Sequence, residues 1–159
     1  MLAKSPTNHN KRLGFKGLSN AILSQWSSAV KIPSMLGERH RILIAEDFEE
    51  NRIALTLMLK MVGFDAIEAS DGEQAISMAQ SAKPDLVLMD ISLPLIDGLQ
   101  ATRRLRADAG LRQLPIIIVS GHDSPEIRDQ VFAAGGTDYL SKPLDFDELK
   151  RKIDNYLGK

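Results

Sequence analysis

Three carboxylates, one hydroxyl and one ammonium stand out because each ends a short, largely apolar run. Glu46 and Asp47 close RILIA, residues 41–45; Asp90 closes Leu86–Met89; Ser120 closes Ile116–Val119; Lys142 follows Tyr139–Ser141. If these runs are neighbouring parallel strands, their ends gather on one rim. Three close carboxylates repel one another, so proton uptake or a cation must relieve them. A hard divalent cation with oxygen ligands fits, and Mg2+ takes few carboxylates and shares itself with phosphate. Asp90, at a strand tip, is then placed to attack phosphorus and form an aspartyl phosphate. The cation and Lys142 would neutralise the equatorial oxygens, because phosphoryl transfer depends on positioning and electrostatics. Ser120 would donate a hydrogen bond to one of those oxygens. Taken singly, each residue has a commoner role. Asp90 could be a turn residue, Ser120 a loop hydroxyl and Lys142 a solvated charge. Their weight is joint.

The elements that must position them alternate along the chain. RILIAED reads as a strand ending in two acids. EENRIALTLMLKMVG reads as a helix with Ile53, Leu57 and Met61 as its apolar stripe, closed by Gly63. FDAIEAS is a second strand, and Asp71 caps the helix GEQAISMAQSAK. DLVLMD is the third strand. LQATRRLRADAG is a helix ending at a glycine, with the RRLR run, residues 103–106, as a solvated face. LPIIIVSG is the fourth strand. SPEIRDQVFAAGG is a helix with Ser124 as cap and Pro125 in its first turn. TDYLSKP is the fifth strand, and DFDELKRKIDNYL the last helix, with Asp145 near its start. Five strands alternating with five helices predict an α/β domain with a parallel sheet covered on both faces. Right-handed crossovers and the flavodoxin-like solution give a five-stranded sheet of order 2-1-3-4-5. Ligands of such sheets bind at the carboxyl ends of the strands, beside the switch between strands one and three. That is where the five side chains fall.

Residues 41–159 form the predicted domain, and residues 1–40 an N-terminal extension. The extension is basic: residues 1–41 carry seven Lys/Arg against Glu38 alone, a balance of +6. The remaining 13 Lys/Arg stand against 20 Asp/Glu, a balance of −7. We read the arm as a solvated tail drawn to its own acidic domain rather than as a nucleic-acid or membrane contact. Residues 1–17 read as disordered. Residues 18–30 place Leu18, Ile22, Trp26 and Ala29 at helical spacing, a short amphipathic helix. The chain has no cysteine, which excludes disulfides and thiolate metal sites. No signal-peptide core and no apolar run of transmembrane length occurs, so a cytoplasmic location is expected. His9 and His40 have no partners at metal-ligand spacing.

With these residues in place, the sequence resembles the receiver domain of two-component response regulators over about residues 40–158. The resemblance rests on four segments in order: IAEDFEENR, LMDISLPLIDG, VSGHD and GGTDYLSKPL. It implies that Asp90 is the phosphoacceptor, that Asp47 binds Mg2+ directly, and that Glu46 assists, often through water. It implies that the backbone carbonyl of Ser92 is a further metal ligand. It makes Lys142 the phosphate-pairing lysine, Ser120 the switch hydroxyl and Tyr139 the aromatic whose rotamer reports activation. It implies a cis bond between Lys142 and Pro143, and places Ser92 and His122 where the family tunes dephosphorylation. The expected partner is a histidine kinase or a histidine phosphotransfer protein, with an unidentified downstream protein target. The domain would be a monomer or a phosphorylation-dependent dimer, without direct nucleic-acid or membrane binding. It would catalyse only its own phosphorylation and dephosphorylation. Only Gly158 and Lys159 follow the last predicted helix, so no attached C-terminal output domain is expected.

Other readings have distinct marks. A haloacid-dehalogenase-like phosphohydrolase also uses a strand-tip aspartate, but its sites resemble Asp-x-Asp, and Asp90-Ile91-Ser92 lacks the second acid. A binding module that had lost phosphorylation would not need the acidic pair, the acceptor and the lysine together. A receiver fragment of a hybrid histidine kinase fits the EENR segment.

Overall fold

The computed structural model describes residues 39–158. The predicted extension, with its helix at 18–30, lies outside them apart from Arg39 and His40. Among the described residues there are five strands: β1 (Arg41–Ala45), β2 (Asp65–Ala69), β3 (Leu86–Asp90), β4 (Ile116–Ser120) and β5 (Asp138–Ser141). Five helices alternate with them: α1 (Glu49–Met61), α2 (Gly72–Ala82), α3 (Gly98–Ala107), α4 (Pro125–Ala133) and α5 (Phe146–Leu157). The sheet is parallel, in the order β2-β1-β3-β4-β5 that the sequence predicts.

Successive strand residues point to opposite faces, and each face has its own core. Leu43, Val87, Met89, Ile116 and Ile118 pack with Ala75 and Ala79 of α2, Leu105 of α3 and Val131 of α4. Ile42, Ile44, Leu86, Leu88 and Ile117 pack with Leu55 and Leu59 of α1 and Leu149 and Ile153 of α5. All residues of β3 and β4 are buried, so their uniform apolar runs follow from being covered on both sides. Four of these five helices start on side-chain caps: Asp71, Asp97, Ser124 and Asp145 each accept the backbone N–H of the third residue of the helix that follows, whereas α1 begins after Phe48 without one.

Two expectations are corrected. Ile53, Leu57 and Met61 do not face the core; they are 47%, 57% and 43% exposed. The buried residues of α1 are Asn51, Leu55, Thr56 and Leu59. Asn51, Leu55 and Leu59 recur every four residues just as Ile53, Leu57 and Met61 do, so spacing alone could not choose between them. The RRLR run is not a uniformly solvated face either. Arg103 and Arg104 are exposed, but Leu105 is fully buried and Arg106 is half-buried. The Arg106 guanidinium donates to the carbonyls of Gly135, Leu111 and Leu114 and to the Thr137 hydroxyl, at 2.8–3.1 Å. It fastens the end of α3 to the α4–β5 turn. In addition, the helix read to Gly110 ends at Ala107, and residues Ala109–Leu111 form a 3-10 turn. Among the described residues, no helix is long and apolar enough to cross a membrane.

Candidate functional site

The register of the sheet brings the sequence-distant groups together. Ala45 pairs with Met89, Asp90 with Val119, and Ser120 with Ser141. One step beyond those pairs lie Glu46 and Lys142. Glu46, Asp90 and Ser120 are 3%, 4% and 3% exposed, and Asp47 is intermediate.

Lys142 connects the carboxylates. Its ammonium donates to Asp90 Oδ2 at 2.7 Å and to Glu46 Oε2 at 2.9 Å. The remaining oxygens are engaged by backbone. Asp90 Oδ1 accepts the Ser92 N–H at 2.9 Å, and Glu46 Oε1 accepts the Phe48 N–H at 3.1 Å. Glu46, Asp47 and Asp90 each offer a carboxylate oxygen, all within 4.8 Å of one another. Burial pushes the Glu46 carboxyl above its ordinary range, and nearby Asp90 adds to that against the opposing pull of Lys142. Burial alone would lower Lys142, but Asp90 and Glu46 outweigh it and hold the ammonium above its ordinary value. The donor set is therefore three hard oxygens with a net negative charge, the chemistry that suits Mg2+ rather than a soft metal.

The loop after β3 is shaped by a close approach. Gly98 N–H donates to the Ile91 carbonyl at 2.9 Å, and a Cβ at Gly98 would lie 2.1 Å from the Asp90 carbonyl oxygen. No residue but glycine fits there without moving Asp90. Ser92 lies in this loop, exposed, with its N–H on Asp90. Leu95 takes a positive φ of 69° and is 79% exposed.

The Ser120 hydroxyl is engaged by the turn that follows β4. It donates to the His122 carbonyl at 3.1 Å and accepts the His122 N–H at 3.0 Å. The Tyr139 hydroxyl donates to the same carbonyl at 2.6 Å. Tyr139 is 7% exposed, turned inward under Arg128, whose guanidinium carbon is 5.4 Å from the ring centroid. Burial, and then the charge of Asp123, raise the Tyr139 hydroxyl above its ordinary value. His122 is engaged through its backbone, and its residue is exposed. The Lys142–Pro143 bond is cis. All the predicted groups thus sit on or beside one rim, with the Ser120 and Tyr139 hydroxyls close together and sharing the His122 carbonyl.

Two contributors were not singled out from sequence. Gly98 was read only as a turn residue; its contact with the Asp90 carbonyl depends on the path of the whole loop. Arg52 was read only as part of the EENR segment, yet it donates to the Glu46 carbonyl at 2.9 Å. An arginine one turn into a helix carries no local mark of that contact.

The comparisons agree with this geometry. The family model for the response regulator receiver domain matches residues 42–154. Protein PilH of Pseudomonas aeruginosa is 38% identical over 118 residues, covering 74% of this chain and 98% of that protein. The CAI-1 autoinducer sensor kinase/phosphatase CqsS of Vibrio cholerae is 32% identical over 153 residues, covering 96% of this chain but 22% of that protein. Among solved structures, the receiver domain of sensor histidine kinase PA1611 from P. aeruginosa, with magnesium coordinated in its active-site cleft, matches with a TM-score of 0.71 and 34% identity. That match covers 77% of this chain and all of the other. A response regulator structure from Chloroflexus aurantiacus matches with a TM-score of 0.73 and 30% identity over the same share. By sheet order, by the acidic rim and by these matches, the chain belongs to the response regulator receiver domain family.

Proposed function

We propose that this chain accepts a phosphoryl group on Asp90 from a phosphohistidine, and that the modified domain changes its protein contacts. The observation that carries this reading is the half-buried Lys142 ammonium bridging Asp90 and Glu46, with Asp47 beside them. Glu46, Asp47, Asp90 and the Ser92 carbonyl would hold Mg2+. Bound there, the ion would supply positive charge to the carboxylates and to phosphoryl oxygens.

The protein's own groups have separable tasks. An Asp90 carboxylate oxygen forms the new P–O bond while the donor's N–P bond breaks. The imidazole leaves with the electron pair and is protonated. Lys142, held charged by its neighbours, can shift its N–H donors from the carboxylates to the arriving phosphoryl oxygens. Ser120 can turn from His122 to a phosphoryl oxygen. Phosphorylation adds about 1.5 to 2 negative charges. Released from the serine, the His122 turn and Tyr139 would resettle and alter the surface made by α4, β5 and α5. Ser92 and His122, each two residues beyond a strand-end site group, would tune the lifetime of the phosphoryl group. The donor would be a histidine kinase or a histidine phosphotransfer protein, and the site of action the cytoplasm. The domain would work as a monomer or as a phosphorylation-dependent dimer, without contacting nucleic acid directly.

The test is intact-mass analysis after incubation with acetyl phosphate and Mg2+. One phosphoryl group is expected on the wild type and none on Asp90→Asn; equal labelling of both would overturn the assignment.

A second reading concerns the surrounding protein. The similarity to CqsS extends over 96% of this chain and so reaches well into residues 1–40. That extent favours a receiver segment of a hybrid histidine kinase. An immunoblot of native cells decides it: a band much larger than 159 residues supports the hybrid, and a band at that size a free-standing receiver.

A further inference from the structure

The acidic loop is braced from outside the acid cluster. Arg52 Nη1 donates to the Glu46 carbonyl at 2.9 Å, and its Nε donates to Glu68 Oε2 at 3.2 Å. The Thr56 hydroxyl donates to the other Glu68 oxygen at 3.0 Å. The Arg52 side chain is 16% exposed, so its ion pair is shielded on the arginine side. Glu46 is the residue at which the chain leaves the sheet: its N–H still pairs with the Ala69 carbonyl at 3.1 Å. Its own carbonyl belongs to the peptide unit that joins it to Asp47. That unit is planar, so fixing its oxygen restricts the direction in which Asp47 sets out. A guanidinium gripped at two places acts as a rigid spacer, which an ammonium cannot do.

Three carboxylates within 4.8 Å would spread apart if their backbone allowed it. Lys142 restrains Glu46 and Asp90 through their side chains. Arg52 is placed to restrain the stretch that carries Asp47. We propose that Arg52 is a positioning residue for the acid cluster. By fixing the Glu46–Asp47 peptide against Glu68 of β2, it sets the affinity of the cluster for a divalent cation. This rests on reading Glu46, Asp47 and Asp90 as the Mg2+ site.

Calorimetric titration of the full chain with MgCl2 tests it, alongside amide spectra of the metal-free chain. Partners behind metal ligands typically contribute about 10- to 100-fold in affinity. Arg52→Met is therefore expected to weaken Mg2+ binding about tenfold and to shift the Asp47 and Phe48 amide resonances before metal is added. Arg52→Lys, which can reach the carbonyl or the carboxylate but not both, should recover part of the affinity. Arg106→Met is the structural control. It removes an equally well-bonded arginine far from the cluster, and should lower thermal stability while leaving Mg2+ affinity unchanged. Wild-type affinity in Arg52→Met, or an equal loss in Arg106→Met, would overturn the proposal while leaving the metal site standing. A wild type that takes up no Mg2+ would overturn the metal reading and this proposal together.

Discussion

The ammonium of Lys142 lies 2.7 Å from Asp90, although 52 positions separate the two residues in the chain. The contact exists because β3, β4 and β5 are neighbours and end level with one another. It defines the charge of the rim: one half-buried cation between two buried carboxylates, with a third beside them. Removing the cation should slow the capture of a negatively charged phosphoryl group. Lys142→Met is expected to reduce the rate of labelling from acetyl phosphate about a hundredfold, the scale of losing one preorganised donor. Time-resolved intact-mass measurements would show it; an unchanged rate would remove Lys142 from the reaction.

Metal addition should stabilise the fold. A ligand that binds only the native state at ten times its Kd contributes about 1.4 kcal/mol. For a domain of this size that is a rise of roughly 5 °C in Tm. Scanning calorimetry with and without Mg2+ is expected to show the rise in the wild type and none in Asp47→Ala.

Gly98 offers a steric test. Its missing side chain makes room for the Asp90 carbonyl, which a Cβ would meet at 2.1 Å. Gly98→Ala is expected to destabilise the domain by about 1–3 kcal/mol, the usual range for overpacking, and to slow labelling of Asp90. At Gly121 nothing lies within 4 Å of the corresponding position. Gly121→Ala should therefore leave urea midpoints nearly unchanged, and a comparable loss there would argue against the steric account.

The α1 correction is open to measurement by paired substitutions. Leu55 is buried and Leu57 is 57% exposed. Leu55→Ala is expected to lose about 2–5 kcal/mol, and Leu57→Ala no more than about 0.5 kcal/mol. Reversed magnitudes in chemical denaturation would restore the face read from the sequence.

Asp138 should mark the acid limb of stability. Burial would raise its carboxyl, but the Lys152 ammonium at 2.7 Å, the Tyr139 N–H and the Tyr156 hydroxyl together hold it below the ordinary 3.8. A carboxyl depressed in the native state contributes stability above its unfolded value and loses it as pH falls through the native one. Denaturation midpoints of the wild type should therefore fall more steeply below about pH 4 than those of Asp138→Asn. Parallel curves would show that Asp138 has no part in the acid response.

Most of the fold was legible because parallel strands covered on both faces leave uniform apolar runs, as β3 and β4 do. The rim was legible for the same reason: a polar residue that ends such a run must sit at an edge of the sheet. What escaped was decided by packing rather than pattern. The two stripes of α1 share one spacing, and only contact with Phe64, Leu149 and Ile153 in the second core selects Leu55 and Leu59. Arg106 looks like its exposed neighbours until the carbonyls of Leu111, Leu114 and Gly135 are seen converging on it. Arg52 and Gly98 act on backbone carbonyls, which every residue possesses, so no residue type announces them.

The His122 carbonyl receives both the Ser120 and the Tyr139 hydroxyls. An amide oxygen has two lone pairs, so its capacity is filled. In circuit terms it is a junction with two inputs and no spare terminal. If Ser120 disconnects, the oxygen is left to Tyr139 alone, and the change is felt at the aromatic ring through the atom they shared. A single backbone atom, belonging to a residue whose imidazole need take no part, would then relay the state of the acidic rim to the ring of Tyr139 on β5.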